Sequence, residues 1–296
     1  MIVPWFMTSP ASLLKAWNLR PKKQLGQNFL TDPSIPGMIV ARAGISPEET
    51  VLEIGAGLGA LTVPAAQAAK HVYAVETDRG LIDLLKTELL FYKADNVTIL
   101  REDILRFDLP GFVRREGIDR PLVVIGNLPY HISSQIVVRL IQARQWIDRA
   151  AMMFQKELAR RFMAGPGGRD YGRLSVMLAY CAEVRLLAEV KADRFFPRPK
   201  IDSEVIEVRF RKTLANPAAD EALLFRVVKA AFGQRRKTLR NALAGSELRI
   251  PPEAAGLALD AAGIAASRRA ETLTVPEFVA LSHALGKVLA ADGEKD

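Results

Sequence analysis

Short apolar segments alternate with helix-like stretches across residues 50–210 of the chain. Strands that are buried on both faces of a sheet are nearly continuous apolar runs, and parallel neighbours need a long crossover between them. The alternation therefore predicts a parallel sheet covered by helices. The expected strands lie at residues 51–54, 72–75, 97–100, 122–125 and 151–154.

The pattern changes in the last third of the chain. Two further apolar runs, at residues 184–190 and 205–210, are joined by a segment too short to hold a crossover helix, so these strands should be antiparallel. Residues 213–220 contain Asn216-Pro217 and few large apolar side chains, which is typical of a linker. Apolar residues then recur at helical spacing from Leu223 to Phe232, which predicts a small helical second domain.

Composition narrows the class of protein. A chain of 296 residues is long enough for about two domains. Cys181 is the only cysteine, which excludes an intramolecular disulfide and a cysteine-based metal cluster, and the three histidines lack metal-ligand spacing. We therefore expect no metal. No apolar run approaches the ~20 residues of a membrane span, so we expect a soluble cytoplasmic protein without a membrane partner.

The net charge of +8 is distributed unevenly. Acidic residues outnumber basic ones at residues 51–110, whereas the excess of positive charge lies in three clusters outside that region. This distribution predicts a polyanionic partner held around a small-molecule pocket, although a merely solvated basic surface is the alternative. The clusters are Lys15, Arg20, Lys22 and Lys23; Arg160, Arg161, Arg169 and Arg173; and Arg235, Arg236, Lys237 and Arg240.

Ligand-type residues follow four of the expected strands. The glycine-rich segment 53–59 comes after the first strand, and Glu76 ends the second strand at a position from which an acid can bind ribose hydroxyls. Asp103 follows the third strand and could accept an adenine amine hydrogen, and Asn127 follows the fourth. The glycine pattern alone also fits a nicotinamide-dependent oxidoreductase, which remains an alternative at this point.

The segment Asn127-Leu128-Pro129-Tyr130 combines an amide, a rigid proline and an aromatic ring at a strand end. An amide oxygen and a nearby backbone carbonyl can accept both hydrogens of an exocyclic amine while the base stacks on the tyrosine. This combination favours alkylation of a base nitrogen. A plain strand-ending turn is the alternative, since asparagine and proline both favour turns.

With these residues in view, the chain resembles the ribosomal RNA adenine N6,N6-dimethyltransferases from about Lys22 to beyond Arg240. Four segments carry the resemblance: the amino-terminal signature at 25–30, the cofactor loop at 53–59, the catalytic motif at 127–130 and the base-pocket segment at 195–200. The resemblance implies a Rossmann-like S-adenosylmethionine-dependent methyltransferase sheet with a small all-helical C-terminal domain, and it implies S-adenosylhomocysteine as the product.

The resemblance also implies roles for individual residues. It implies that the catalytic residues, which also form the pocket for the base, are Asn127, Leu128, Pro129, Tyr130 and Phe195. Of the adjacent rings Phe195 and Phe196, we expect one to pack inward and Phe195 to meet the base. Cofactor binding is implied for Gln27, Asn28, Leu30, Gly55, Glu76, Asp103 and Asn127.

Two branches of that family differ in their substrate. Residues 231–241 resemble the branch that acts on small-subunit (16S) ribosomal RNA, which implies N6,N6-dimethylation of two adjacent adenosines during ribosome assembly. Arg235, Arg236, Lys237 and Arg240 would then contact RNA in the 30S subunit or its precursor. The alternatives are the large-subunit (23S) enzymes of the macrolide-resistance type and a non-catalytic RNA-binding assembly factor.

The resulting domain expectation has three parts. Residues 1–48 would form an N-terminal arm with the cofactor-contacting segment, residues 49–212 the methyltransferase domain, and residues 218–296 the helical RNA-binding domain. The protein is expected to act as a monomer.

Overall fold

The structure, a computed structural model, describes residues 9–293 of the chain and the side chains of residues 9–290. The described chain divides into two compact units. The first unit comprises residues up to Ala159 together with Glu183–Phe210, and the second comprises Arg160–Ala182 and the residues from Arg211 onward. The first eight residues of the expected N-terminal arm lie outside the described residues.

Nine strands are present among the described residues, and they include all seven that the sequence predicts. The two additional strands are each only two residues long. The strands are β1 (Phe29–Leu30), β2 (Thr50–Ile54), β3 (His71–Val75), β4 (Val97–Leu100), β5 (Leu122–Asn127), β6 (Ile147–Gln155), β7 (Ala182–Val190), β8 (Phe195–Phe196) and β9 (Ser203–Phe210).

Twelve α-helices accompany these strands in the described part of the chain. They are α1 (Pro10–Ala16), α2 (Ser34–Arg42), α3 (Thr62–Ala68), α4 (Arg79–Phe91), α5 (Leu109–Arg115), α6 (Ser133–Gln142), α7 (Lys156–Met163), α8 (Arg173–Cys181), α9 (Glu221–Gly233), α10 (Leu239–Ala244), α11 (Pro252–Ala261) and α12 (Val275–Gly293).

The first unit is built on a seven-stranded sheet with the order β4-β3-β2-β5-β6-β9-β7. The strands from β4 to β6 in that order pair in parallel, and β9 pairs antiparallel with β6, as predicted for this strand. The strand order reverses between β2, which neighbours β3, and β5. Ligands of open α/β sheets bind at such a reversal, outside the carboxyl ends of the strands.

Burial explains why the central strands are continuous apolar runs. Val51 and Leu52 of β2 and the four residues Leu122–Ile125 of β5 have no exposed surface, so both faces of the sheet are covered at these strands. Helix α4 begins where the Asp78 side chain accepts a hydrogen bond from Gly80 N at 3.2 Å, which caps the helix next to the carboxyl end of β3.

The second unit is helical. Helices α9, α10, α11 and α12 pack against one another, and α8 packs against α9. Two hydroxyl groups tie residues 160–182 to this unit: Tyr171 donates to Leu273 O at 3.0 Å, and Tyr180 donates to Glu221 Oε1 at 2.9 Å. The division of the chain thus differs from the expected domain boundary, which placed residues 160–182 in the sheet domain.

Candidate active site

The carboxyl ends of β2, β3, β4 and β5 open onto one cavity of about 420 Å³ in the first unit. This volume lies in the range of small-molecule sites, which is roughly 300–1,000 Å³. The cavity brings together every residue for which cofactor binding is expected and all but one of the expected catalytic residues. The predicted residues that line it are Gln27, Asn28, Leu30, Gly55, Glu76, Asp103, Asn127, Leu128, Pro129 and Tyr130.

The glycine loop after β2 owes its path to backbone conformations that other residues rarely adopt. Gly55, Gly57 and Gly59 have φ values of +76°, +56° and +85°. A Cβ at Gly57 would lie 3.4 Å from the Phe29 ring, and one at Gly59 would lie 2.8 Å from Leu85 Cδ1. The loop therefore passes close to its neighbours while its backbone faces the cavity.

The Glu76 carboxylate is held in place by the backbone. Oε1 accepts hydrogen bonds from Thr77 N at 2.8 Å and Asp78 N at 2.9 Å, and Oε2 accepts one from Gly57 N at 2.9 Å. Two carboxylate oxygens offer about four acceptor positions, so capacity remains for further donors. This arrangement fixes the carboxylate at the cavity wall and ties the glycine loop to the end of β3.

The Asn127 side chain has a defined orientation. Its Nδ2 donates a hydrogen bond of 2.8 Å to the backbone oxygen of Asn28, and only the amino end of the amide can face that carbonyl. Within the described residues, Asn127 Oδ1 accepts no hydrogen bond. The amide is therefore arranged as an acceptor on its free side, which is the polarity that an amine substrate requires.

Tyr130 lies at the cavity with its hydroxyl anchored away from solvent. Its Oη is 3.1 Å from Ser203 Oγ at the start of β9. Burial raises the pKa of Tyr130, and the hydrogen bond with Ser203 offsets part of that rise, so the phenol is neutral at physiological pH. The ring is thereby fixed at one edge.

The two rings of the base-pocket segment have different environments. Phe195 is only 4 % exposed, packs in the core cluster that includes Leu30 and Ile125, and is absent from the cavity lining. Phe196 is partly exposed and packs against the cluster that includes Phe29. One ring does pack inward, but it is Phe195, so the contact of this ring with a base requires it to move and stays a prediction.

Sequence patterns did not single out Glu53 as an individual group, although it also lines the cavity. Its side chain is 1 % exposed, and its Oε2 has no hydrogen-bond partner among the described residues. Burial raises the pKa of Glu53 to about 8; the nearby Thr62 hydroxyl offsets part of the rise, and the Glu76 carboxylate adds to it. The cavity therefore contains one neutral acid, Glu53, beside the hydrogen-bonded carboxylate of Glu76.

The four basic residues of the cluster at 235–240 in the second unit differ in the contacts that they make. Arg235 donates to the backbone oxygens of Arg169 and Tyr171, and Arg240 donates to Pro252 O at 3.1 Å. Arg236 and Lys237 are exposed, and among residues 9–290, whose side chains are described, theirs form no hydrogen bond or ion pair. Within that part of the chain, no acidic side chain competes with an anionic partner for these two cations.

Two further observations concern ligands and membranes. Among the residues that the structure describes, no three His, Cys, Asp or Glu side chains are grouped closely enough to hold a metal ion. None of the described helices is both long and apolar enough to cross a membrane.

Comparison with known proteins places these features in context. The profile of a family described as "Ribosomal RNA adenine dimethylase" matches residues 18–287. A curated relative, the ribosomal RNA small subunit methyltransferase A of Desulforapulum autotrophicum, is 51 % identical over 279 residues, which cover 94 % of this chain and 97 % of the relative.

Two solved structures share the fold over most of the chain. A dimethyladenosine transferase from Plasmodium falciparum has a TM-score of 0.74 at 26 % identity and covers 88 % of this chain and 98 % of its own. The 23S rRNA methyltransferase ErmE has a TM-score of 0.63 at 28 % identity and covers 87 % of this chain and 99 % of its own. These similarities confirm the expected Rossmann-like methyltransferase sheet with a helical C-terminal region.

Proposed function

Because the chain belongs to the ribosomal RNA adenine dimethylase family, we propose that it methylates N6 of adenosines in small-subunit ribosomal RNA with S-adenosylmethionine. The observation that carries the proposal is the acceptor orientation of Asn127 beside a cavity of nucleoside size. The high identity to a small-subunit enzyme favours that substrate over large-subunit RNA, since ErmE is the more distant relative.

The cavity fits the proposed cofactor in its donor and acceptor chemistry. Glu76 keeps acceptor capacity for a ribose diol. In the described part of the chain, Asp103 Oδ1 accepts from Leu105 N at 2.9 Å, and its Oδ2 lies 3.9 Å from Arg106 Nε without a hydrogen bond. Its second oxygen would accept an adenine amine hydrogen. Gly55 leaves open space for the methionine end, because a Cβ there would meet nothing closer than Asn127 O at 3.8 Å. When bound, S-adenosylmethionine supplies a methyl group that its sulfonium already activates.

The remaining task of the protein is to present the amine. Asn127 Oδ1 and the backbone carbonyl near Leu128 would accept the two hydrogens of the target amine, which directs the nitrogen lone pair away from the base plane. The target adenosine must leave its RNA stack, and the Tyr130 ring would replace part of the lost stacking. A neutral amide is suited to this role because it can accept a hydrogen bond from the amine both before and after the first methylation.

We propose that the second unit binds the RNA and that the protein acts as a monomer. Arg236 and Lys237 supply exposed cations without partners in the described chain, whereas Arg235 and Arg240 also support local structure. Phosphate contacts of this kind fix the register of RNA without reading its sequence. We extend the proposal to dimethylation of two adjacent adenosines in 16S rRNA during assembly of the small subunit.

Labelled methyl transfer tests the proposal directly. Purified protein is incubated with isotopically labelled S-adenosylmethionine and either small or large ribosomal subunits that lack the modification, and the RNA is digested and analysed by mass spectrometry. We expect N6,N6-dimethyladenosine only in small-subunit RNA.

The matched control is Asn127→Ala, which should bind RNA normally and transfer at least about a hundredfold more slowly, the range seen when one preorganised hydrogen-bonding group is removed. Label confined to large subunits would establish the alternative substrate. Normal transfer by the variant would refute the role of Asn127.

A further inference from the structure

A short segment near the N-terminus, residues 22–30, makes hydrogen bonds to two separate parts of the candidate active site. Lys22 and Gln27 contact Asp78 in the loop that follows β3, where Glu76 also lies, and Asn28 contacts Asn127 at the end of β5. The segment thus connects the acid expected to bind ribose with the amide expected to bind the target amine. Both connections are made within the first unit.

At the first end, the Asp78 carboxylate is the common acceptor. Lys22 Nζ donates to Asp78 Oδ1 at 2.8 Å, and Gln27 Nε2 donates to Asp78 Oδ2 at 3.0 Å. Burial alone would raise the pKa of Asp78, but the hydrogen bonds from Lys22 and Gln27 outweigh it and leave the pKa below its usual value. Asp78 also caps α4, so the segment is attached to a rigid element.

The Gln27 side chain makes an internal hydrogen bond at each of its two polar ends. While Nε2 donates to Asp78, Oε1 accepts a hydrogen bond of 2.8 Å from the backbone nitrogen of Lys22. Both polar ends of the amide are therefore engaged by protein groups. These two bonds join residue 27 to Lys22 within the segment and to Asp78 outside it, so Gln27 holds the segment in place.

At the second end, the backbone of the segment is closely constrained. Gly26 has φ +61°, and a Cβ there would lie 3.2 Å from His131 Nδ1, so the chain turns tightly against the residues that follow Asn127. Asn28 Nδ2 donates to Gly26 O at 3.0 Å, and Asn28 O accepts from Asn127. Strand β1, paired with β8, continues from this point.

We propose that Gln27 and Asp78 form a latch that positions the Asn127 amide through the backbone of Asn28. The latch keeps the Asn28 carbonyl where it accepts from Asn127 Nδ2, and this leaves Asn127 Oδ1 directed at the substrate amine. Gln27 and Asp78 are positioning residues in this account. The inference rests on the proposed function for its effect on methyl transfer, but the latch itself is a feature of the structure that can be measured separately.

An exchange of donor and acceptor tests the latch. Gln27→Glu places a carboxylate against Asp78, and Asp78→Asn places an amino group against the amino end of Gln27, so each single change breaks the hydrogen bond. Asparagine is as good a helix cap as aspartate, so α4 should be retained. The double variant Q27E/D78N restores one donor and one acceptor with reversed polarity, and it keeps the net charge of the wild-type pair.

The rate of the first methyl transfer is measured in single turnovers with saturating cofactor and small-subunit acceptor, and the KM for S-adenosylmethionine is measured alongside. We expect each single variant to transfer about tenfold more slowly, within the coupling range for contacting residues, and the double variant to recover to within about threefold of wild type. A higher KM with an unchanged transfer rate in both single variants would overturn the positioning role. A double variant no better than the singles would show that the two residues do not act as a pair.

Hydrogen exchange of the backbone amides of residues 22–30 provides a readout that needs no methyl transfer. The amides should exchange faster in both single variants and return to the wild-type rate in the double variant. Equal exchange in all four proteins would refute the latch. If the wild-type protein transfers no methyl group while the four proteins still show this exchange pattern, the proposed function is refuted and the latch is supported.

Discussion

The buried Glu53 carboxyl makes the stability of the protein depend on pH in a direction opposite to that of most acids. The pKa of Glu53 is about 8 in the folded protein, against 4.5 for an ordinary glutamate. Between these values the unfolded chain has released the proton while the folded chain keeps it. The contribution of Glu53 to stability is therefore fully present below pH 4.5 and is lost as the pH rises toward 8.

The magnitude follows from the two pKa values. Between the two pKa values, each unit rise in pH lowers the free energy of unfolding by about 1.4 kcal/mol. Most of this pH range lies below neutral pH. Glu53→Gln carries no charge in either state and removes this dependence. The free energy of unfolding of the variant, relative to wild type, should rise by about 2 to 3 kcal/mol between pH 5 and pH 7.

Urea unfolding followed by circular dichroism at several pH values measures this difference, with the slope against urea checked to be equal in both proteins. Glu49→Gln is the matched control. The hydrogen bond from Arg149 lowers the pKa of Glu49, so the contribution of that acid is lost only as the pH falls below 4.5. Its stability difference from wild type should stay constant between pH 5 and pH 7. A Glu53→Gln difference that is also constant over this range would refute a proton on the buried acid.

Two further predictions concern binding of the substrate. Tyr130→Ala should lower the efficiency of methyl transfer by about 5- to 150-fold, which corresponds to the stacking energy of one base. Tyr130→Phe loses only the contact with Ser203 and should stay within a few-fold of wild type. Equal losses in the two variants would contradict stacking on the ring. Arg236→Ala should reduce the slope of log affinity for RNA against log salt by about 0.7–0.9, whereas Lys229→Ala, which removes a cation paired with Glu247, should not. Titrations of fluorescent RNA at several salt concentrations measure both slopes, and indistinguishable slopes would argue against a phosphate contact at Arg236.

Periodicity predicted the sheet because its signal is local. Each central strand is buried on both faces, so the apolar run itself marks the strand, and the observed bounds extend the expected ones by only a few residues, as in β2 (Thr50–Ile54) and β5 (Leu122–Asn127). The polar residues at strand ends could be placed together for the same reason, since parallel order alone brings Glu76, Asp103 and Asn127 to one edge.

Local sequence patterns could not predict features that depend on contacts between residues far apart in the sequence. Strands β1 and β8 are two residues each, and they exist because Phe29 pairs with Phe196 and Leu30 with Phe195, far apart in sequence. This pairing also turns Phe195 into the core, which a pair of adjacent aromatic residues does not reveal. Residues 160–182 join the helical unit through hydrogen bonds from tyrosines whose partners lie about a hundred and about forty residues away in the sequence.

Glu53 and Glu76 show why residue type at a strand end does not determine chemistry. Both acids line the same cavity, but Glu53 lies within β2, where it faces Ala74 of β3 and Ile125 of β5, while Glu76 lies one residue beyond β3. The Glu76 carboxylate accepts hydrogen bonds from three backbone N–H groups, whereas Glu53 Oε2 has no partner among the described residues. The position of each acid relative to the end of its strand therefore decides whether backbone donors can reach it. Burial is the main cause that raises the pKa of Glu53 to about 8, so the depth of an acid in its strand, which residue type does not reveal, sets its chemistry.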